Sequence, residues 1–301
     1  MKSYKLSFFF LFTLLIIACS EEDPVIEYVI VTETVTETNT DEVDPFADST
    51  LEGNITENKT LDASKIWLIK GRVSVIDGTT LTIPAGTIIK AASGTGADAS
   101  TLIVARGGKM IANGTADNPI IMTAAADNIE VGGTYPESGP ALNVDTRGLW
   151  GGLLVLGKAP CSFKSDVTEL QIEGIPTSDT NGLYGGSVAD DNSGSFQYIS
   201  IRHGGAEIGE GNEINGLTLG GVGTGTTVNQ IEVLGNVDDG IEFFGGTVKA
   251  TNLLVWGQGD DAIDIDQGYA GTIDGALVVL TAASDHGFEI DGPEGLSLIH
   301  I

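Results

Sequence analysis

The sequence reads Val237-Asp238-Asp239-Gly240-Ile241-Glu242-Phe243, then Gly259-Asp260-Asp261-Ala262-Ile263-Asp264-Ile265, and then Ser284-Asp285-His286-Gly287-Phe288-Glu289-Ile290. The second copy begins 22 residues after the first, and the third begins 25 residues after the second. Each copy places acids at a corner and continues as an alternating, strand-like run. A repeat of this length predicts a coiled β-architecture in which acids of successive turns lie in register.

Similar strand-like runs rich in β-branched residues and separated by glycine occur upstream, as in Leu81–Ile89 and Ser195–Ile201. The chain has 42 glycines and few aromatic residues, which favours an all-β fold. We predict a right-handed parallel β-helix, because each turn can bury its apolar side only against its neighbours. A β-propeller would need blades of about 40 residues, and a β-sandwich is the simpler alternative.

The N-terminus carries Lys2 and Lys5 before an apolar run that ends at Ile17. This run is short for a membrane span and is typical of a signal peptide. It continues into Ala18-Cys19, and the segment resembles a bacterial lipobox, in which the cysteine becomes the lipidated first residue. We therefore predict a lipoprotein signal peptide over residues 1–18 and lipidation of Cys19. An ordinary signal peptide with a chance cysteine is the alternative.

Residues 19–58 are rich in acids and contain no Lys or Arg. Such a segment cannot bury enough apolar surface to offset its ordering entropy, so we predict a disordered acidic tether. Its first part, Ser20-Glu21-Glu22-Asp23, resembles the surface-export signal of Bacteroidetes lipoproteins. This resemblance implies an outer-membrane protein that faces the cell exterior, attached to the membrane through the lipid at Cys19.

The C-terminus ends in Leu296-Ser297-Leu298-Ile299-His300-Ile301, which breaks the repeat. One reading frame of a transposase adapter used in sequencing libraries encodes the same residues. We therefore assign the β-helix domain to residues 59–295, interpret residues 296–301 as an adapter artefact, and expect the natural protein to continue. A genuine strand end is the alternative.

The formal net charge of −28 argues against nucleic acid as a partner, because nucleic-acid binding needs clustered Lys and Arg. The same charge argues against electrostatic docking to anionic lipid headgroups. Any membrane attachment would then depend on the lipid at Cys19.

From about Thr60 to Gly295 the sequence resembles a Bacteroidetes family of secreted or lipid-anchored right-handed β-helix proteins with no assigned activity. The segments that carry the resemblance include Gly78–Ile89, Gly114–Thr123 and Gly148–Leu153. It implies a β-helix of the cell envelope and names no reaction.

Alternation along the repeated strands predicts which side chains face the core. The apolar positions are expected to point inward, whereas Glu242, Asp264 and Glu289 are expected to point outward in one stacked column. The inward set is Ile241, Phe243, Ile263, Ile265, Phe288 and Ile290.

Aspartates at the corners before these strands are expected to approach one another, since stacked strands lie about 4.8 Å apart. Lys249 is the only Lys or Arg between His203 and Gly295. A hard, oxygen-seeking ion such as Ca²⁺ suits such a cluster, and a solvated acidic surface is the alternative. The predicted metal ligands are Asp238, Asp239, Asp260, Asp261, Asp264 and Asp285.

An enzyme is a competing hypothesis. The segment around Asp260 and Asp261 resembles the acidic-pair strand of β-helix pectin hydrolases, in which adjacent acids act as general acid and base. Asp285-His286-Gly287 matches their Gly-His-Gly segment only in part, and their Arg-x-Lys has no counterpart. A lyase would need a basic residue, for which Lys249 is the candidate. If the protein is an enzyme, Asp260, Asp261 and His286 are its predicted catalytic residues.

We expect binding without catalysis. The predicted ligand is an extended glycan or a partner protein of the cell surface, because a long flat face suits a polymer. The alternatives are a polysaccharide hydrolase or lyase and a purely structural protein of the envelope. Beyond Ca²⁺, the sequence indicates no cofactor.

Overall fold

The computed structural model describes residues 46–134, 142–207 and 213–295. In these residues the regular structure consists of strands and three short 3₁₀ helices, at Gly96–Asp98, Lys164–Asp166 and Thr180–Gly182. No helix in the described ranges is long and apolar enough to cross a membrane. The strands are β1 (Thr50–Ile55), β2 (Lys59–Thr60), β3 (Ile66–Val75), β4 (Thr80–Ile83), β5 (Ile88–Ala91), β6 (Thr101–Val104), β7 (Lys109–Asn113), β8 (Ile120–Ala124), β9 (Leu153–Leu156), β10 (Leu170–Gln171), β11 (Leu183–Tyr184), β12 (Gly194–Arg202), β13 (Leu217–Gly220), β14 (Thr227–Leu234), β15 (Ile241–Phe244), β16 (Lys249–Trp256), β17 (Ile263–Asp266), β18 (Thr272–Val279) and β19 (Glu289–Ile290).

Parallel pairing between successive turns arranges these strands on three faces around one core. Face A contains β2, β4, β7 and the first halves of β12, β14, β16 and β18. Face B contains the first halves of β1 and β3, then β5, β8 and the second halves of the same four long strands. Face C contains the second halves of β1 and β3, then β6, β9, β13, β15, β17 and β19. The predicted parallel β-helix is therefore confirmed; the antiparallel pair β10–β11 lies outside it.

Single residues in the left-handed region make the corners between faces A and B. They are Tyr198, Gln230, Asn252 and Gly275, with φ between 50° and 83°. The corner lets Phe196 and Ile199 both face the core although three positions separate them, which a flat strand forbids. Each long strand thus bends over two faces without leaving the parallel ladder.

The structure confirms for most of the apolar repeat residues that their side chains face the core. Ile241, Phe243 and Ile263 are buried, and Ile265 is half-buried against them. Phe288 and Ile290, however, are 46% and 70% exposed. Ile290 pairs in register with Ile265, which packs against the core, so the register supports its predicted inward orientation. Both residues are exposed because no further turn among the described residues stacks on β19.

The N-terminal boundary of the β-helix lies earlier than predicted. Strand β1 begins at Thr50 and pairs in parallel with β3, although Thr50 belongs to the segment predicted to be tether. Leu51 and Ile55 are buried in the core, which supplies the apolar contact that fixes this strand. The predicted signal peptide, Cys19 and residues 296–301 lie outside the described residues.

Two long insertions cover two different faces. Residues 157–192 pack Phe163, Ile172 and Tyr184 against the outer side of face C. Residues 125–134 place Ile129 against Ile88 on face B. The insertion on face C decides how much of the acidic repeat reaches solvent.

Candidate functional site

The acids of face C stack as the repeat predicts. Glu242 pairs in register with Asp264, and Asp264 pairs with Glu289. These three side chains point away from the core and form one column, which confirms the prediction. Glu242 is nevertheless only 7% exposed, because the insertion over residues 157–192 covers it.

A second column runs along the corner before these strands. The Asp261 N–H donates to Asp239 Oδ1 at 2.9 Å. The His286 N–H donates to Asp261 Oδ1 at 2.7 Å, and His286 Nδ1 lies 3.0 Å from the same oxygen. The buried aspartates Asp239 and Asp261 therefore join successive turns through their side chains.

The described residues contain three groups whose potential ligand atoms lie within 4.8 Å of one another. All six predicted metal ligands belong to these groups, and Glu242 and His286 join them. The groups are Asp238, Asp239 and Asp260; Asp239, Glu242 and Asp264; and Asp261, Asp285 and His286. The geometry brings together the residues that a cation would need, and Ca²⁺ at this place stays a prediction.

The group of Asp239, Glu242 and Asp264, called the middle group below, is the most enclosed of the three. Burial, followed by the charge of Glu173, raises the pKa of Glu242 well above its ordinary value. Burial also raises the pKa of Asp239 to about 8 and the pKa of Asp264 above its usual range. With no cation present, Asp239 and Glu242 are therefore expected to retain their protons near neutral pH.

The outer groups have charges closer to solvent. Burial and the charge of Asp260 raise the pKa of Asp238 to about 6. Asp285, and then Asp261, raise the pKa of His286, whose side chain is 59% exposed. A hydrogen bond and charge repulsion from Asp261 raise the pKa of the exposed Glu289 to about 7.

Two buried oxygens, one in the middle group and one on a residue that contacts it, lack hydrogen-bond partners among the described residues. One is Asp264 Oδ1, and the other is Oδ1 of Asn215, a residue only 1% exposed. Asn215 Nδ2 donates to Glu242 Oε2 and to Glu173 Oε1. The Asn215 amide therefore contacts the carboxyl cluster through its nitrogen. The unpartnered Asp264 Oδ1 is an oxygen of the kind that Ca²⁺ takes as a ligand.

Sequence reasoning missed two residues that the insertions bring to face C. Much of the Glu173 residue is exposed to solvent, but its carboxyl group is largely desolvated. This desolvation, followed by the charge of Asp238, raises the pKa of Glu173 to about 7. Arg147 donates to Thr281 Oγ1 at 3.2 Å, and its Nη1 lies against Gly259, the residue before Asp260. Neither residue belongs to the repeat, so periodicity could not find them.

The candidate catalytic residues occupy unequal positions. Asp260 and His286 are exposed, whereas the side chain of Asp261 is 3% exposed and accepts the His286 N–H. Lys249, the candidate base for a lyase, begins β16 on face A and lies 3.0 Å from Asp274. The structure thus brings Asp260, Asp261 and His286 together and leaves Lys249 on another face.

Comparison with known proteins gives one match. A family model described as a pectate-lyase-like β-helix domain covers residues 53–297. Neither the curated proteins nor the solved structures contain a match to this chain. Because the matched range spans most of the 301 residues, this chain belongs to the family of pectate-lyase-like β-helix domains.

Proposed function

We propose that this chain is a lipid-anchored β-helix domain of the cell surface that binds an extended glycan without cleaving it. Ca²⁺ held by the acids of face C would join the protein to the glycan. The observation that carries the proposal is the middle acidic group, in which Asp239, Glu242 and Asp264 meet and Asp264 Oδ1 has no hydrogen-bond partner among the described residues.

A cation relieves the main electrostatic cost of this arrangement. Two carboxylates about 4.8 Å apart repel by about 3 kcal/mol at an effective dielectric constant near 20. Ca²⁺ takes six to eight oxygen ligands in flexible geometry, and the carboxylates of Asp239, Glu242 and Asp264 supply oxygen. The buried group can fix an ion, while Asp238 and Asp260 leave carboxylates nearer the surface.

The surroundings suit a polymer that lies across the turns. Asp260 is exposed on one turn, and Asp285 and Glu289 are exposed on the next turn of the same side. Trp256 ends β16 with 41% of its surface exposed, which leaves ring area for stacking on a sugar. A chain with repeating units can contact repeating positions on a β-helix, and this regularity supports a glycan over a small ligand.

A polysaccharide hydrolase or lyase is the second candidate. The family, the contact between Asp261 and His286, and Arg147 beside Gly259 favour it. Against it, Asp261 is buried and hydrogen-bonded to the next turn, as Asp239 is one turn earlier. A repeated structural role explains this acid better than a single catalytic centre does.

Thermal unfolding with Ca²⁺ and with a chelator tests the ion. Binding to the folded state alone stabilises it by about 2.7 kcal/mol at a hundredfold excess over Kd. The melting temperature is expected to rise with millimolar Ca²⁺, and less with Mg²⁺, which demands tighter octahedral geometry. Asp264→Asn is expected to reduce this rise, whereas Asp117→Asn, at an exposed turn outside the groups, is expected to preserve it. A melting temperature that ignores both Ca²⁺ and chelator contradicts the site.

Affinity electrophoresis in gels containing acidic or neutral polysaccharides tests the glycan. We expect retardation that chelator abolishes and no release of reducing ends or unsaturated products. Products that form with the parent protein and disappear in Asp260→Asn or Asp261→Asn would show that the protein is an enzyme and would contradict the proposal of binding without cleavage.

A further inference from the structure

A cavity of about 580 Å³ lies apart from the acidic groups and shares no lining residue with them. One wall comes from the corner that follows face C in the first turns, with Asp77 and Arg106. The other wall comes from the insertion over residues 157–192, with Lys158, Glu169 and Ser187. This volume is typical of small-molecule sites, which span about 300–1,000 Å³.

The formal charges in this cavity cancel, although the whole chain carries −28. Arg106 contacts the Glu169 carboxylate at 2.9 Å and donates to the Gly185 carbonyl at 3.0 Å, so its charge is already matched. Lys158 Nζ lies 3.5 Å from Asp77 Oδ1, and both side chains are well exposed. A neutral ligand fits this balance better than an anion or a cation.

The lining offers both hydrogen-bond donors and acceptors. Asn181 Nδ2 donates to Asn54 Oδ1 at 3.0 Å, which leaves the Asn54 amide nitrogen and the Asn181 amide oxygen available. The hydroxyls of Thr180 and Ser187 make no hydrogen bond to any described residue. Apolar surface from Ile76, Ala105 and Val188 alternates with these groups.

We infer that this cavity binds a neutral, hydroxyl-rich sugar unit. Hydroxyl groups both donate and accept, as the lining does, and the C–H face of a sugar ring suits the apolar surface. The inference rests on the proposed function only in taking a glycan as the ligand class. Because the cavity contains no acidic group of the Ca²⁺ site, its binding is independent of Ca²⁺.

Saturation-transfer difference NMR on the full chain tests the site, with EDTA present to separate it from the Ca²⁺ site. The probes are neutral disaccharides of glucose, galactose, mannose and xylose, with digalacturonate as the acidic comparison. We expect transfer to at least one neutral disaccharide, and at least tenfold weaker binding in Ser187→Trp, whose indole would fill the cavity. Ala116→Trp, at the exposed turn between β7 and β8, is expected to bind as the parent does.

The outcomes separate the two proposals. A disaccharide bound in EDTA supports the cavity even if polysaccharide retention fails. Three results would overturn the inference: no transfer to any neutral disaccharide, transfer that survives Ser187→Trp, or digalacturonate that binds equally well at the same place. Circular dichroism melts of both Trp variants show whether a loss reflects misfolding, and Lys158→Met provides a second, smaller change at the cavity mouth.

Discussion

Asp239 combines two roles that oppose each other. Its Oδ1 accepts the Asp261 N–H at 2.9 Å and so fixes the next turn. Burial of the same carboxyl, with Asp238 adding repulsion, raises its pKa to about 8. The residue therefore stabilises the stacking of turns while it makes the unliganded fold sensitive to pH.

The pKa of Asp239 leads to a prediction for the chelated protein. The ordinary pKa of an aspartate is 3.8, so between pH 4 and 8 the folded carboxyl binds a proton that the unfolded one has lost. Stability therefore falls as pH rises through this window. Asp239→Asn keeps an acceptor oxygen but cannot ionise, so we expect a flatter decline, by up to about 1.4 kcal/mol per pH unit.

Denaturant unfolding in EDTA at pH 5 to 8 measures this slope. Asp117→Asn is the matched control, because that exposed side chain makes no contact with the acidic groups. An Asp239→Asn slope as steep as the parent's would show that this carboxyl ionises freely in the fold. Some decline is expected to remain in the variant, since Glu242 and Asp238 also have raised pKa values.

Corner residues explain part of what the sequence could not predict. Alternation correctly identified the strands, but Tyr198 and Gln230 are not residue types that mark a left-handed corner. Their conformation is imposed by the stack of turns, because each must repeat the bend of its neighbour. Asn252 and Gly275 are the two members whose residue type favours the left-handed region.

Stacking of each turn on the next provides the core. Phe243 and Phe288 belong to the same repeat, yet Phe243 is buried between turns and Phe288 is 46% exposed on the last described one. The Phe243 ring also lies 4.7 Å from the ring of Tyr269. The position of an aromatic residue in the stack of turns, more than its residue type, decides how much it contributes to the stability of the fold.

Truncating each phenylalanine measures this difference. Phe243→Ala removes a buried ring and leaves a cavity, so we expect a loss of about 3–5 kcal/mol in the free energy of unfolding. Phe288→Ala is expected to cost well under half as much. Chemical denaturation of the two variants gives the comparison, and equal losses would mean that Phe288 is covered in solution.

The insertion over residues 157–192 explains why the acidic column differs from expectation. Periodicity placed Glu242 on the outer side of its strand, which is correct. It could not show that Phe163 and Tyr184 would cover that side, because an insertion has no repeat to compare. The same limit hid Glu173 and Arg147, so the sequence identified the repeated geometry of the turns but only part of the site around it.

The chain carries a large excess of negative charge. Acids outnumber Lys and Arg by 42 to 14, and several of the cations pair with acids on the folded domain. Such a surface repels nucleic acid and anionic headgroups, so a membrane location requires a hydrophobic anchor. Covalent lipid at Cys19 would supply one without any change in the β-helix.

The two cysteines of the chain allow this anchor to be tested with an internal control. Cys161 is half-buried in the fold, and its Sγ lies 3.3 Å from the Phe244 carbonyl oxygen. Burial raises the pKa of its thiol to about 12, which makes it a poor acceptor for acylation. Any lipid on the chain is therefore expected at Cys19.

Metabolic labelling with a clickable fatty acid gives the decisive measurement. Cys19→Ala is expected to abolish the label and release the protein from membranes, whereas Cys161→Ala is expected to retain both. Because the proposed lipid is the membrane attachment, its loss should release nearly all of the protein. Protease added to intact cells then tests surface display, and replacing Glu21, Glu22 and Asp23 with Ala should protect a protein that is still labelled. Label that persists in Cys19→Ala would show that the lipobox interpretation is wrong, whichever side of the membrane the domain faces.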